Sequence, residues 1–567
     1  MAARVKRLSA FSRPSMLREM TEEPLDLLII GGGITGAGIA LDAVDRGLRV
    51  GLVEKQDFAE GTSSRSTKLI HGGLRYLKQG EIGLVREVGR ERAILHRNAR
   101  HLVIPEKMLL PIVRGGTYGR LATSFGLWLY DRLAGVHRHE RRVMLTKAET
   151  LAAEPLLAAE GLRGGGLYYE YRTDDARLTM EVLKTAARLG ALCVNHAEAV
   201  ELWYGDGRVA GAIVRDRLTG EHYRVMAKNV VNAAGPWVDE LRRADGSLTG
   251  KRLHLTKGVH IVVPRTRMPV RQSVYFDVED GRMVFAIPRG EVTYVGTTDT
   301  DYEGPLEEPP VLREDVVYLL RAVNHMFPSV RLGLEDVRSS WAGLRPLIHE
   351  DGKSPSELSR KDEIFVSESG LVSIAGGKLT GYRKMAERVV DLVMRELGRE
   401  EGRAFQPCRT DRIVLSGGDA EEAEMLAHMR RAGPVNDVPG DMDRMLRSLY
   451  HKYGAHADIV WTRALEMANS DAREDIHTAV VLAEFEYGVQ EEMVTDLNDF
   501  LIRRTGRLFF EREEVARWLP NLTRFAAALF GWGPEEVQHQ VEKWNQVSCA
   551  AVAFKSSGES KDQERPL

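Results

Sequence analysis

A short apolar segment, Leu25-Asp26-Leu27-Leu28-Ile29-Ile30, runs directly into Gly31-Gly32-Gly33-Ile34-Thr35-Gly36-Ala37-Gly38. No other stretch restricts the fold as sharply. An apolar run that meets glycines reads as a strand buried on both faces of a parallel sheet. Residues 39–45 continue as a helix, Arg46-Gly47 ends it, and Arg49-Val50-Gly51-Leu52-Val53-Glu54 is the next strand. This strand–helix–strand unit spans about thirty residues, the context that a Gly-x-Gly-x-x-Gly dinucleotide fingerprint requires. Gly31 permits the tight turn, Gly33 lets the backbone approach a pyrophosphate, and Gly36 lets the helix pack on the strand. The helix start offers N–H groups and a positive dipole end to phosphates. Glu54 is placed to accept hydrogen bonds from an adenosine ribose.

The fingerprint alone does not separate FAD from NAD. Two later features favour FAD. The hydroxyl-rich stretch Thr62-Ser63-Ser64-Arg65-Ser66 suits a second pass along a long cofactor. Farther on, Leu371-Val372-Ser373-Ile374-Ala375-Gly376-Gly377-Lys378-Leu379-Thr380 is another strand–glycine–helix turn, able to bring backbone N–H groups to a flavin or its ribityl chain. Asn232-Ala233-Ala234-Gly235-Pro236-Trp237 is a third strand end of this kind.

Composition narrows the rest. A formal net charge of -3 argues against a nucleic-acid binder that relies on a strongly basic surface. The three cysteines, Cys193, Cys408 and Cys549, form no Cys-x-x-Cys pair, so no zinc or other metal site is expected. No apolar run reaches the ~18 residues of a membrane-spanning helix. Arg4, Lys6, Arg7, Arg13 and Arg18 come without an apolar core, which excludes a secretory signal; residues 1–24 read as a basic N-terminal extension, with a disordered tail or a start at Met16 or Met20 favoured over a transit peptide or a membrane-surface anchor.

Strands are expected at 191–195, 209–215, 229–233, 259–263, 284–288 and 293–297, and helices at 84–97, 178–188, 313–324 and 382–397. They intermix through residues 25–400. A linker is expected around Gln406-Pro407 to Gly417-Gly418, then a helical region over 405–550 with helices near 421–431, 442–453 and 489–503, and a disordered tail over 551–567.

The motifs together resemble the FAD-dependent glycerol-3-phosphate dehydrogenases, within the wider D-amino-acid-oxidase-like flavoprotein group. The resemblance rests on Ser66-Thr67-Lys68-Leu69-Ile70-His71-Gly72-Gly73-Leu74-Arg75-Tyr76-Leu77, Asn232 to Trp237, Lys257-Gly258-Val259-His260, Gly296-Thr297-Thr298-Asp299, Gly343-Leu344-Arg345-Pro346-Leu347 and Gly376-Gly377-Lys378-Leu379-Thr380, in that order. Asp499-Phe500-Leu501-Ile502-Arg503-Arg504-Thr505 resembles part of the family's helical C-terminal domain. The resemblance implies an α/β chain: an FAD-binding doubly wound fold, an antiparallel-sheet substrate cap, and an all-α C-terminal domain. It implies oxidation of sn-glycerol 3-phosphate to dihydroxyacetone phosphate, with FAD as cofactor and a membrane quinone as acceptor. The related oxidases, which use O2, carry a long insertion after Leu-Arg-Pro-Leu. Here a short stretch separates Leu347 from Ser359-Arg360, which favours the dehydrogenase.

Flavin oxidation of a phosphorylated secondary alcohol needs a base for the hydroxyl proton and fixed positive charge for the phosphate. Arg75, Arg345 and Lys378 are the phosphate candidates, with Tyr76 as hydroxyl donor, Arg360 as a further cation and Arg289 after it. His260 and His71 compete for the base; the resemblance favours His260, leaving His71 to touch the flavin or orient substrate. Asp299 reads as a structural or cofactor-orienting carboxylate. Gly31, Gly33, Gly36, Glu54, Thr62, Ser63, Ser64, Gly235, Gly376, Gly377, Lys378, Leu379 and Thr380 are the cofactor candidates. The family's location is cytoplasmic, peripheral on the inner face of the cell membrane; a homodimer is the assembly expected. Leu121, Phe125, Leu129 and Leu133 repeat at helical spacing near Arg114, Arg120 and Arg132, a pattern suited to a lipid surface or to the core.

Overall fold

The computed structural model describes residues 6–71, 82–116, 119–133, 140–349, 362–433, 439–470 and 475–556. Two sheets organise it. In the first, the strands lie in the order Glu363–Val366, Val372–Ala375, His222–Asn232, Leu25–Ile30, Val50–Val53 and Leu192–Val194. All neighbours are parallel except the first pair. Leu25 to Ile30 are all buried, as a strand covered on both faces must be. The helix Ile34–Asp45 packs between the helices Asp175–Arg188 and Tyr382–Glu401. Ala197–Gly205, Arg208–Asp216 and the first half of His222–Asn232 form an antiparallel meander that joins the sheet through His222–Asn232.

The second sheet is the cap. Leu253–Pro264 lies near one end of it, paired on one side with Ser339–Ile348 and on the other with Val292–Gly296. The order continues through Met283–Arg289, Ser273–Asp277, Ile104–Val113 and Leu162–Arg172 to Leu69–Ile70. Pairing is antiparallel except between Ser273–Asp277 and Ile104–Val113. The cap therefore draws on two stretches of the chain, 69–172 and 253–348, interleaved with the strands of the parallel sheet.

The sequence reading of the N-terminus needs correction. The helix Arg13–Glu22 buries Met16, Leu17 and Met20 against the parallel sheet. The Arg13 guanidinium, 2 % exposed, donates to both Asp216 carboxylate oxygens (2.9 and 2.8 Å) and to the carbonyls of Asn195 and His196 (2.9 Å each). From residue 6 onward the basic segment is part of the fold. Its arginine looked like tail charge because its partner lies far along the chain. Arg13→Ala is expected to cost about 3–5 kcal/mol, because Asp216 is left buried without its counter-charge. A denaturant midpoint within error of the parent would contradict this.

The linker and the helical region are also more integrated than expected. Leu415 donates its amide to the Asn98 carbonyl (2.9 Å) and Ser416 to the Thr185 hydroxyl (3.0 Å), so this segment is pinned to the FAD-binding part. Leu446, Tyr453 and Trp461 of the helices share a core with Leu69, Tyr294 and Trp341 of the cap. The helix expected over 489–503 is instead the end of Ile476–Glu491 followed by a separate π-helical turn, Asp499–Arg504. Met493 breaks the run with φ +52° and donates its amide to the Leu8 carbonyl (2.6 Å). The wide turn lets Arg503 and Arg504 both reach the buried carboxylate of Asp57.

Buried ion pairs tie the parts together. Glu492 pairs with Arg177 and Lys184 of the Asp175–Arg188 helix, and Glu484 pairs with Lys452 and Arg507. Burial alone would raise these carboxyl pKa values, but Arg177 and Lys184 hold Glu492 down at about 2, and Arg507 and Lys452 do the same for Glu484. The unfolded chain takes up these protons at its higher, ordinary carboxylate pKa. The stabilisation is therefore complete above pH ~4.5 and is lost as the pH falls towards 2. Thermal midpoints should drop steeply below pH ~4.5, and Glu484→Gln should flatten that acid decline. Midpoints unchanged between pH 5 and 3 would contradict it.

Candidate active site

A cavity of about 1160 Å³ lies between the two sheets, larger than the pocket of a typical small ligand. Its parallel-sheet wall is built from strand ends. Gly31 has φ +118°, and a Cβ there would come within 2.5 Å of the Ala233 carbonyl oxygen. A Cβ on Gly36 would stand 1.9 Å from the Gly31 carbonyl oxygen, so this glycine sits behind the cavity and lets the helix close on the strand. Gly33 caps Ile34–Asp45 without a side chain, and the Ile34 amide donates to the Ser63 hydroxyl at 2.9 Å. Glu54 accepts from the amides of Gly32 (2.7 Å) and Gln56 (2.9 Å), one on each carboxylate oxygen. Burial raises its pKa against those two amides. Each oxygen keeps a second lone pair not used by these bonds.

Gly235, with φ +57°, follows the end of the strand His222–Asn232 and lines the same wall, as do Gly376, Gly377, Lys378, Leu379 and Thr380. Thr62 and Ser63 line the cavity too, with the Thr62 hydroxyl donating to the Leu344 carbonyl at 2.7 Å. Ser64 is buried beneath them, and its carbonyl accepts from the Lys68 ammonium at 2.9 Å.

The cap wall follows from strand register. Trp341, Gly343 and Arg345 point to one face of Ser339–Ile348, and they sit opposite His260, Gly258 and Thr256. The imidazole of His260, 1 % exposed, stacks on Trp341 with centroids 4.7 Å apart and planes 10° apart. Its Nε2 is 3.0 Å from the Thr67 hydroxyl. Arg345 reaches across Gly258, where a Cβ would stand 2.1 Å from Nη2. The guanidinium donates to the Thr298 carbonyl and the Asp299 carboxylate (3.2 Å each) and to the Thr297 hydroxyl (2.9 Å). Gly296 clears the other side: a Cβ there would be 2.0 Å from His260 Cδ2. Burial, Arg345 and Lys68 together hold the His260 pKa well below the ordinary imidazole value.

His71 lines the cavity beside these residues. Its ring meets the edge of Phe285 at 6.2 Å, and its carbonyl lies 3.4 Å from the Thr380 hydroxyl. The fold thus brings His71, His260, Arg345 and Lys378 to one cavity, and Asp299 proves to be the carboxylate that steadies Arg345. Arg75, Tyr76 and Arg360 lie outside the described residues. Arg289 does not join the site: it pairs with Asp174 (2.8 Å) and stacks on Phe510 (4.0 Å), because its position on the strand Met283–Arg289 turns it towards the helical region. Sequence reading missed Thr67 and Trp341 as members. Strand alternation before Arg345 pointed to Trp341; nothing local pointed to Thr67.

Residues 26–383 match the FAD-dependent oxidoreductase family model, and 408–537 match that of the C-terminal domain of alpha-glycerophosphate oxidase. An aerobic glycerol-3-phosphate dehydrogenase of Bacillus subtilis (strain 168) is 50% identical over 545 residues, covering 96% of this chain and 98% of its own. The chain belongs to the FAD-dependent glycerol-3-phosphate dehydrogenase family. Another member, from Staphylococcus aureus (strain MRSA252), is 49% identical over 543 residues, covering 95% of this chain and 97% of its own. The crystal structure of the Bacillus halodurans glycerol-3-phosphate dehydrogenase complexed with FAD shares 45% identity at a TM-score of 0.81, covering 96% of this chain and 99% of that one. The geometry of this family member fits FAD. Gly31 and Gly33 leave the cradle open, the capless helix start faces it, and Gly376 and Gly377 (φ +78° and +82°) line the same cavity at a second strand end.

Proposed function

We propose that the protein oxidises sn-glycerol 3-phosphate to dihydroxyacetone phosphate and passes the electrons to a membrane quinone. The observation that carries this reading is the pairing of His260 with Arg345 on one face of the cap sheet, across the cavity from the glycine cradle. FAD, when bound, supplies the hydride acceptor. Arg345 offers a guanidinium already oriented by Asp299 and Thr297, suited to two phosphate oxygens. Lys378 adds a second positive charge, with Arg75, Tyr76 and Arg360 proposed as further phosphate contacts. Neutral His260 takes the hydroxyl proton, and His71 positions the substrate. Gly31, Gly33, Glu54, Thr62, Ser63, Gly235 and residues 376–380 are proposed to hold FAD, while Gly36 and Ser64, which do not line the cavity, support them from behind.

Peripheral attachment to the inner face of the cell membrane is part of this proposal. No helix among the described residues is long and apolar enough to cross a membrane. The helix Arg120–Leu133 sends Leu127 into the core but leaves Phe125 and Trp128 62 % and 43 % exposed, with their rings 5.8 Å apart. Exposed aromatics beside Arg132 suit a headgroup surface. Reoxidation tests the acceptor. After anaerobic reduction by glycerol 3-phosphate, the flavin should recover slowly in air and quickly with a soluble quinone, and the protein should float with anionic vesicles. Fast recovery in air with stoichiometric peroxide would make it an oxidase.

A further inference from the structure

The His260 imidazole is almost wholly enclosed. Trp341 covers one ring face, and Gly296 lies against its Cδ2 edge. Its Nδ1 is buried and has no hydrogen-bond partner among the described residues. Its Nε2 faces the Thr67 hydroxyl at 3.0 Å, and Thr67 itself lines the cavity.

Thr67 is held to this orientation from several sides. Its carbonyl accepts from the Tyr294 hydroxyl at 3.1 Å. The preceding carbonyl, of Ser66, accepts from Trp341 Nε1 at 3.3 Å, and the Ser66 amide donates to Asp175 at 2.9 Å. The following residue, Lys68, takes φ +57° and is locked by its ammonium to the Ser64 carbonyl and the Asp175 carboxylate. A non-glycine residue in the left-handed region is uncommon and persists where its surroundings fix it.

We infer that Thr67 relays the substrate proton to His260. The inference rests on the proposed oxidation with His260 as proton acceptor. As the C2–H electron pair leaves as hydride to FAD, the C2 hydroxyl gives its proton to Thr67 Oγ1. The proton already on Oγ1 passes to His260 Nε2. One O–H bond breaks on the substrate, one is exchanged on threonine, and one N–H bond forms; the carbinol becomes the carbonyl of dihydroxyacetone phosphate. Burial and the nearby cations disfavour an imidazolium in the empty site. A phosphate dianion arriving beside Arg345 offsets part of that charge.

The test compares Thr67→Val and Thr67→Ser in the FAD-loaded enzyme, with anaerobic flavin reduction by sn-glycerol 3-phosphate as readout. Valine keeps the shape and removes the hydroxyl. It should slow reduction at saturating substrate by about a hundredfold or more, with substrate affinity and FAD content near parental. Serine should restore most of the rate. The parent should show a curved proton inventory in mixed H2O/D2O, from two protons in motion. A valine variant that reduces its flavin at the parental rate, or a serine variant no faster than valine, would overturn the relay. If His260→Gln is slow while Thr67→Val is fast, the relay fails and the oxidation stands. If the parent is not reduced by glycerol 3-phosphate at all, the reading beneath the relay falls with it.

Discussion

Flavin reduction by sn-glycerol 3-phosphate should fall by about 10²- to 10⁴-fold in His260→Gln, the range expected on losing a general base. Glutamine preserves much of the side-chain volume and a hydrogen-bonding group near Thr67, so the cavity and the FAD content should be unchanged. The loss should appear in the rate of reduction at saturating substrate and hardly at all in affinity, because in the proposed mechanism the histidine acts on the hydroxyl proton and Arg345 on the phosphate. The same environment fixes the pH profile. Burial, Arg345 and Lys68 depress the His260 pKa, so the neutral, proton-accepting form is already complete at pH 6.5. The reduction rate should therefore show no acid limb at the ordinary imidazole pKa; that limb should lie below it. Near-normal reduction in His260→Gln, with a large loss in His71→Ala, would reverse the two histidines' roles.

Gly258→Ala should weaken glycerol 3-phosphate binding without removing any charged group. Gly258 does not adopt a positive φ, so alanine brings no backbone strain. The added methyl carbon would lie 2.1 Å from Arg345 Nη2, 2.6 Å from its Cζ and 2.6 Å from the Thr297 hydroxyl. The guanidinium must move, and its bonds to Thr297, Thr298 and Asp299 break with it. A displacement of ~1 Å at a positioning group costs on the order of a hundredfold in kcat/KM, and KM should carry most of it. Arg345→Ala should do the same or worse. Arg345→Lys should recover little, because a point charge does not reproduce the planar fork. A KM within twofold of the parent in Gly258→Ala would show that Arg345 does not hold the phosphate.

The parts of this molecule that were legible in the sequence are those whose partners lie close along the chain. The Gly31–Gly36 turn, its helix and Glu54 sit within one strand–helix–strand unit, so spacing alone located them. The cap strands announced themselves by short β-branched runs, and glycine-flanked motifs picked out His260 and Arg345, but only the fold shows that they lie on neighbouring strands. What stayed hidden depends on distant partners. Arg13 looks like tail charge until Asp216 is beside it, and Asp57 looks like a surface carboxylate until Arg503 and Arg504 close on it. Their pull, together with the left-handed Met493, ends a helix that local propensity would continue. Thr67 is one hydroxyl in a hydroxyl-rich stretch; only the fold sets it against His260. Arg289 shows the reverse error, a cation after a proline that the strand directs to Asp174 and Phe510 and away from the cavity.

The central claim is that the wall formed by His260 and Arg345 serves oxidation of a phosphorylated secondary alcohol. Anaerobic titration of the FAD-loaded protein with sn-glycerol 3-phosphate tests it most directly. The account predicts that the flavin is bleached in proportion to the dihydroxyacetone phosphate formed, and that glycerol at the same concentration leaves it oxidised. Bleaching by an amine or a 2-hydroxy acid, with none by glycerol 3-phosphate, would contradict it and turn Arg345 into a carboxylate-binding residue.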